Sequence, residues 1–359
     1  VAADDKDLAP LRARIDAIDQ ELLVLLGRRA EAAQEVGKIK HDVNAPVFRP
    51  ERERQVIDGL IANNKSSIAP EGITAIWREV MSACRALEAP VRVAYLGPAG
   101  TFSELAAFAQ FGQSIGRVPC SSIDEVFRAV DVGSADFGVV PVENSSEGAI
   151  SRTLDLLLDT DLKVTGEVAL AIKHHLLTKS GSLDGVTRVC AHPQALAQCQ
   201  RWLSNNVSKL ERQAVSSNGE AAKLAADDSS IAAIAGDSAQ QQYGLQAVQS
   251  LIQDDPHNRT RFVVVSHGSC KPSGKDQTSL ILSVGNKPGA VYQLLAPLAK
   301  HGVSMNLLES RPARRGTWEY FFYIDLDGHA NDPKVALALA ELEQEAAFFK
   351  NLGSYPRSH

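Results

Sequence analysis

The chain lacks any uninterrupted apolar run near the ~20 residues that a membrane helix needs, which excludes a membrane-spanning helix. It also lacks a basic surplus. Its 37 Lys and Arg face 43 Asp and Glu, for a net charge of -6, and this excludes a general nucleic-acid binder, whose phosphate contacts need excess cations. An anionic ligand must therefore find cations gathered locally. Cysteines are few and odd in number: Cys84, Cys120, Cys190, Cys199 and Cys270 offer no metal-ligand spacing and no disulfide framework, and fit reduced thiols in a cytoplasm. Histidines are scattered apart from His174 and His175, which a strand sends to opposite faces, so neither metal nor cofactor is expected. The segment Tyr95 to Gly100, YLGPAG, stands between a strand and a helix, yet Gly97 and Gly100 do not make the G-x-G-x-x-G fingerprint. This excludes a nicotinamide cofactor. The start, VAADDKDLAP, is acidic where a signal peptide is basic and then apolar, so a cytoplasmic protein is expected.

What is present is globular: 359 residues with 44% hydrophobic and 22% charged residues, enough for two or three domains of ~100–200 residues. Leu11, Ile15, Ile18, Leu22, Leu25, Arg29, Ala32 and Val36 follow alternating steps of four and three, the seam of a long helix from about Leu8 to Lys40. Such a helix runs ~50 Å, more than residues 1–90 can cover alone, so its seam implies a partner chain. Pro46 and Pro50 interrupt it. A second helix follows through Val56, Ile57, Leu60 and Ile61, and a third runs from about Pro70 to Leu87, before Pro90.

From Val91 short apolar strands alternate with helices, predicting an α/β domain with a largely parallel sheet over 91–266. Expected strands are Val91 to Leu96, Asp136 to Val142, Lys163 to Ile172, Thr187 to Cys190, Ile231 to Ala235 and Arg261 to Val265. A crossing near Ala169 to Thr178 and a return near Arg261 predict two lobes around a cleft. HGSCKPSGKDQ reads as a linker. Residues 278–359 then show a βαββαβ order, the α+β ferredoxin-like plan.

Arg29 and Lys40, eleven residues apart, share one face of the first helix, and a cation on an apolar seam needs an anion. Glu31, Glu35 or Glu53 could supply it as a salt bridge. Thr101 to Glu104, Ser122 to Glu125 and Ser217 to Glu220 have capping-box spacing, and free donors at such helix starts also bind carboxylates. Glu143, Asn144 and Ser145 follow the strand FGVVPV, where open α/β sheets place ligands. Glu143 there would repel a dianion unless it is otherwise engaged.

The segment LRARIDAIDQELLVLLGRRAEAAQEVGKIK with RPERERQV resembles the helical chorismate mutase domain. The resemblance implies an intertwined all-helical dimer that grips chorismate with Arg29, Lys40 and Arg52 of one chain and Arg12 of the other, Glu53 bonding the hydroxyl. Cys84 and Glu88 align with the family's Ser and Gln, Glu88 facing the ether oxygen, and Arg49 replaces a frequent Asp. A pericyclic rearrangement needs only cations and shape.

GPAGTFSE, VPVENSSEG, AHPQAL and NRTRF, in that order, resemble prephenate dehydratase. By that resemblance Thr260 donates to the leaving hydroxyl, Thr101, Ser103, Asn144, Ser145, Gln194 and Phe262 position prephenate, and Arg261 meets its pyruvyl end. NKPGAVYQLL and LLESRP resemble ACT domains, which implies phenylalanine binding at Gly289, Ala290, Glu309, Ser310 and Arg311. The expectation is thus a multidomain enzyme: a helical mutase domain (1–90), a two-lobed α/β dehydratase domain (91–266) and an ACT domain (278–359). It is a homodimer or higher homo-oligomer, feedback-inhibited by phenylalanine. A non-catalytic sensor of prephenate or amino acids is the rival reading, and the set Arg29, Lys40, Arg52 and Glu53 argues against it.

Overall fold

The computed structural model describes residues 5–42, 47–285, 287–312 and 320–358; Pro46, Asn286 and Trp318 lie outside them. Three helices come first: α1 (Asp5–Asp42), α2 (Pro50–Asn63) and α3 (Pro70–Ala86). α2 and α3 each begin on a proline, whose missing N–H costs nothing in a first turn. The seam of α1 stays uncovered within one chain, with Leu11, Ile15, Ile18, Leu22, Leu25 and Val36 each about half exposed. This unit's buried side chains include Phe48, Ile57, Ile73 and Met81, and Phe48 packs on Phe111 at 4.7 Å beneath the Arg85 guanidinium.

The middle of the chain has two lobes. The first holds β1 (Arg92–Leu96), α4 (Phe102–Phe111), β2 (Gly116–Cys120), α5 (Ile123–Asp131), β3 (Phe137–Asn144), β4 (Gly148–Ala149), α6 (Ser151–Asp159) and β5 (Lys163–Ala171). The second holds β6 (His175–Thr178), β7 (Arg188–Ala191), α7 (Pro193–Gln198), α8 (Gln200–Asn206), β8 (Glu211–Ala214), α9 (Asn218–Asp227), β9 (Ile231–Ala235), α10 (Asp237–Tyr243) and β10 (Gln246–Gln249). β11 (Arg259–Ser266) then returns to the first lobe.

The first sheet has the order β2-β1-β3-β11-β5, with β4 on β3, and the second β10-β6-β9-β7-β8. Parallel pairing is confined to β2-β1-β3 and β8-β7-β9, while β11 runs antiparallel to β3 and β5, and β6 to β9 and β10. The expectation of a largely parallel sheet is corrected to two mixed sheets. The cause is the double crossing of the chain, since a strand returning from the other lobe enters against its neighbours.

The C-terminal domain comprises β12 (Asp276–Ser283), α11 (Ala290–His301), β13 (Met305–Pro312), β14 (Tyr320–Asp327), α12 (Pro333–Glu345) and β15 (Phe348–Pro356), in the sheet order β13-β14-β12-β15. This is the ferredoxin-like plan expected. One sheet face carries the helices, with Leu280, Leu282, Ile324 and Leu326 packed on Leu294, Leu298 and Leu342. Ile281 and Tyr323 face the other way, and an irregularity in the pairing of β15 with β12 lets both Leu352 and Tyr355 join them, in one continuous core with Val140, Leu154 and Val263 of the first lobe. Burying Ile281 or Leu352 there contributes about 1.5–3 kcal/mol each. The segment between β11 and β12 is correspondingly fixed: Cys270 is buried, and its Sγ and carbonyl bond Thr165 and His329. It is a packed connection, not the free linker its composition predicts.

Candidate active sites

β3 and β11 lie side by side, and their register sets Asn144 opposite Thr260. Both are buried. The Asn144 amide nitrogen donates to Thr260 Oγ1 at 2.8 Å and to Asn258 Oδ1 at 3.0 Å. The amide cannot be reversed, because its oxygen accepts the Ser146 N–H at 3.0 Å. Thr260 oxygen is thus an acceptor toward Asn144, and its own proton is left to be given elsewhere.

Thr260, Asn144 and Phe262 line a cavity of about 660 Å³ between the lobes. The start of α4 brings Thr101, Phe102 and Ser103, and the start of α9 brings Ser217 and Asn218. A helix N-terminus favours negative charge through its unpaired N–H groups and its dipole. None of the described lining residues is Lys or Arg. A dianion here is met by helix ends, amides and hydroxyls.

Of the residues expected from the sequence, Thr101, Ser103, Asn144, Gln194, Thr260 and Phe262 line this cavity, and Ser145 and Arg261 do not. Thr101 Oγ1 is partly engaged, donating to Leu96 O at 2.9 Å. Ser145 is exposed, lies outside the cavity lining and accepts the Arg259 N–H at 2.9 Å, which fastens the start of β11. Arg261 is a correction with a plain cause: Thr260 points into the cavity, and its neighbour on a strand must point away. Arg261 meets Glu167 at 2.8 Å and Asp325 at 2.6 Å, with Glu143 at 4.0 Å, which also gives Glu143 a face away from the cavity.

The sequence reading missed His174, His192, Asn218 and Asn258. Asn258 sits two residues before Thr260 in the same HNRTRF run, and Asn218 follows the Ser217 cap, so both stood beside recognised signals. His174 had none. It precedes β6, is buried, bonds Gln198 Oε1 through Nε2 at 2.9 Å and meets the Phe102 ring edge-on at 5.6 Å. Burial lowers its pKa, so it stays a neutral imidazole.

In the helical unit Arg29 and Lys40 are half-buried on α1. Lys40 Nζ lies 3.8 Å from Glu88 Oε2 and donates to Val47 O at 3.1 Å, so the anion facing it is Glu88 and not Glu31, Glu35 or Glu53. Glu88 lies just past the end of α3, its N–H still bonded to Arg85 O at 3.0 Å. It packs against Gly37, where a Cβ would come within 2.6 Å of Glu88 Cγ. Cys84 is buried. Arg52 and Glu53 occupy the first turn of α2. Arg12 is exposed, and because α1 is one unbroken helix it lies about 25 Å along the axis from Arg29.

In the C-terminal domain Gly289 has φ +78° ahead of α11, and a Cβ added there would meet no atom within 4 Å, so it serves the backbone turn and not a close approach. Ala290 lines a cavity of about 290 Å³ with Val291, Tyr320 and Phe322. Ser310 pairs in register with Phe322, on the helix side of the sheet. Alternation turns Glu309 and Arg311 to the opposite face, where Arg311 lies 3.5 Å from Asp155 of α6. The run expected to bind one effector is thus divided between two faces.

A buried threonine hydroxyl on the wall of a two-lobed cleft, in one chain with a cation-bearing helical unit and a ferredoxin-like domain, defines a multidomain enzyme that works on small anions. Three family models match in succession: chorismate mutase type II over residues 11–89, prephenate dehydratase over 93–270 and the ACT domain over 278–344. The bifunctional chorismate mutase/prephenate dehydratase of Pseudomonas aeruginosa is 45% identical over 99% of both chains, and that of Neisseria gonorrhoeae 47% over 98% of both. The solved prephenate dehydratase of Arthrobacter aurescens, in complex with L-Phe, is similar with a TM-score of 0.68 and 34% identity, covering 74% of this chain and 90% of its own. The chain belongs to the bifunctional chorismate mutase/prephenate dehydratase family.

Proposed function

We propose that this chain rearranges chorismate to prephenate and then converts prephenate to phenylpyruvate, with phenylalanine as feedback inhibitor. The observation that carries the second step is the Asn144 amide bonded to Thr260 Oγ1 on the cavity wall. A threonine hydroxyl is a weak acid, and a donor held against its oxygen draws electron density from the O–H and directs the proton outward. As the ring carboxylate leaves as CO2, the electrons of that C–C bond enter the ring. The ring C–O bond breaks, and the hydroxyl departs as water with the proton from Thr260. Aromatisation drives the step, so no cofactor is needed. Helix starts at Ser103 and Asn218 hold the carboxylates during it.

For the rearrangement, Arg29, Lys40, Arg52 and Glu53 of one chain and Arg12 of a second form the site, with Cys84 lining it and Glu88 at the ether oxygen. The uncovered seam of α1 and the distance from Arg12 to Arg29 both support a homodimer, with Gly289, Ala290 and Ser310 on the effector side of the C-terminal sheet. The enzyme is assigned to the cytoplasm, in keeping with its free, buried thiols. Among the described residues no helix is long and apolar enough to cross a membrane. The test is to supply chorismate to the purified chain and follow prephenate and phenylpyruvate together. Binding of prephenate without turnover would favour the sensor reading.

A further inference from the structure

We propose that Arg261 is a positioning residue for dehydration: it fastens the strand of Thr260 to the C-terminal sheet, so that Thr260 is held in working position only while that sheet grips Arg261. The proposal rests on the reading of Thr260 as proton donor. Thr260 and Arg261 are consecutive on β11 and point to opposite faces, one into the cavity and the other into the junction with the C-terminal domain. The pairing of β11 with β3 shifts register between Arg261 and Phe262, leaving Val142 unmatched. A bulge interrupts the ladder and bends its strand, so the aim of Thr260 depends on more than backbone pairing.

Arg261 supplies that further constraint. Its Nε meets Glu167 of β5 at 2.8 Å, one terminal nitrogen meets Asp325 of β14 at 2.6 Å, and the other donates to the Tyr355 hydroxyl of β15 at 3.2 Å. Two of these three partners belong to the C-terminal domain. They are themselves tied together: Ser279 Oγ bonds Asp325 Oδ1 at 2.5 Å and Tyr355 at 2.7 Å, and Gln277 donates to Tyr355 at 3.1 Å. Burial opposes the charge on Arg261, but Tyr355, Asp325 and Glu167 outweigh it and raise its pKa, so the cation is permanent. Without it, Glu167 and Asp325 would lose the cation they share, and β11 would lose its hold on β14 and β15. β14 also carries Tyr320 and Phe322 of the smaller cavity, so a ligand there and Thr260 are separated by one strand and one ion pair.

The test uses the full chain with Arg261→Lys, Asp325→Asn and, as control, Tyr323→Phe. Tyr323 bonds Leu154 O at 2.8 Å across the same junction without touching Arg261. Arg261→Lys and Asp325→Asn are expected to lower kcat for prephenate by about tenfold or more, leaving KM within about twofold and the mutase rate unchanged. Tyr323→Phe is expected to lower Tm while leaving kcat intact. Should Arg261→Lys fail to fold, as loss of the dehydratase domain's thermal unfolding transition would reveal, Asp325→Asn decides. Normal kcat in Asp325→Asn, or an equal kcat loss in Tyr323→Phe, overturns the proposal. Thr260→Ala separates the two readings: if it is inactive while Asp325→Asn turns over normally, only the role of Arg261 falls, and if it is active both fall.

Discussion

The amide of Asn144 donates to the hydroxyl of Thr260 at 2.8 Å, and the Ser146 N–H on the Asn144 oxygen makes that direction unambiguous. Thr260→Ala is therefore expected to lower dehydratase kcat by about 10²–10⁴-fold, the range of general acid catalysis, and to accumulate prephenate from chorismate. Thr260→Ser keeps the hydroxyl and should retain most of the rate. Asn144→Ala should cost less than Thr260→Ala and nothing beyond it when the two are combined, because they act as a unit. Additive losses in the double variant, measured with prephenate as substrate, would separate them.

Arg12 and Arg29 lie about 25 Å apart on one rigid helix, too far to grip one small molecule. Inactive Arg12→Ala and Arg29→Ala chains, mixed under conditions of subunit exchange, should regain mutase activity, up to about a quarter of wild type by random pairing. Exchange proven by a mass label without recovered activity would rule out a site shared between chains.

Much of this was legible in the sequence because motifs at strand ends keep their meaning: Asn144 and Thr260 were both found, and the register only joined them. Strands β8 (ERQA) and β10 (QAVQ) were not, since edge strands are half-solvated and carry no apolar run. His174 could not be read as a cavity residue, because its place depends on the crossing between lobes and not on its neighbours in the chain. Arg261 shows the opposite failure. The resemblance put it with substrate, while plain strand alternation already pointed it away.

All five cysteines are buried, and burial pushes Cys199 and Cys270 up to about 12. A thiolate is the reactive form, so Cys199 and Cys270 of the native enzyme at pH 8 should resist an aromatic disulfide reagent and react only on unfolding. Rapid labelling of Cys199 or Cys270 in the active enzyme would contradict the packing of the second lobe and of the connection to β12.

The two sites should respond differently to salt. On the function proposed above, prephenate is held by helix ends and amides in a cavity whose described lining has no side-chain cation, whereas Arg12 and Arg52, proposed for the mutase site, are exposed. Raising ionic strength from about 0.05 to 0.5 M shortens the screening length several-fold, so KM for chorismate should rise by about threefold or more while KM for prephenate changes less than about twofold. Equal salt effects would mean that a cation outside the described lining serves prephenate.

His174 should make the dehydratase acid-sensitive through stability and not through chemistry. Its ring is buried, bonded to Gln198 and set against Phe102, and burial lowers its pKa below the ordinary 6.5. In the unfolded chain it takes a proton as pH falls through about 6.5, while in the folded chain it remains neutral to lower pH. The unfolded state then binds more protons, so stability falls as pH drops through about 6.5. The loss ends once pH drops below the folded pKa. His174→Asn, which cannot take the proton, should be less stable than wild type at pH 7.5 and should lose less on going to pH 5.5. Urea unfolding followed through the loss of dehydratase activity at both pH values measures this. Parallel losses in wild type and variant would mean that the native imidazole accepts the proton, and that the pocket around Phe102 and Gln198 admits a charge.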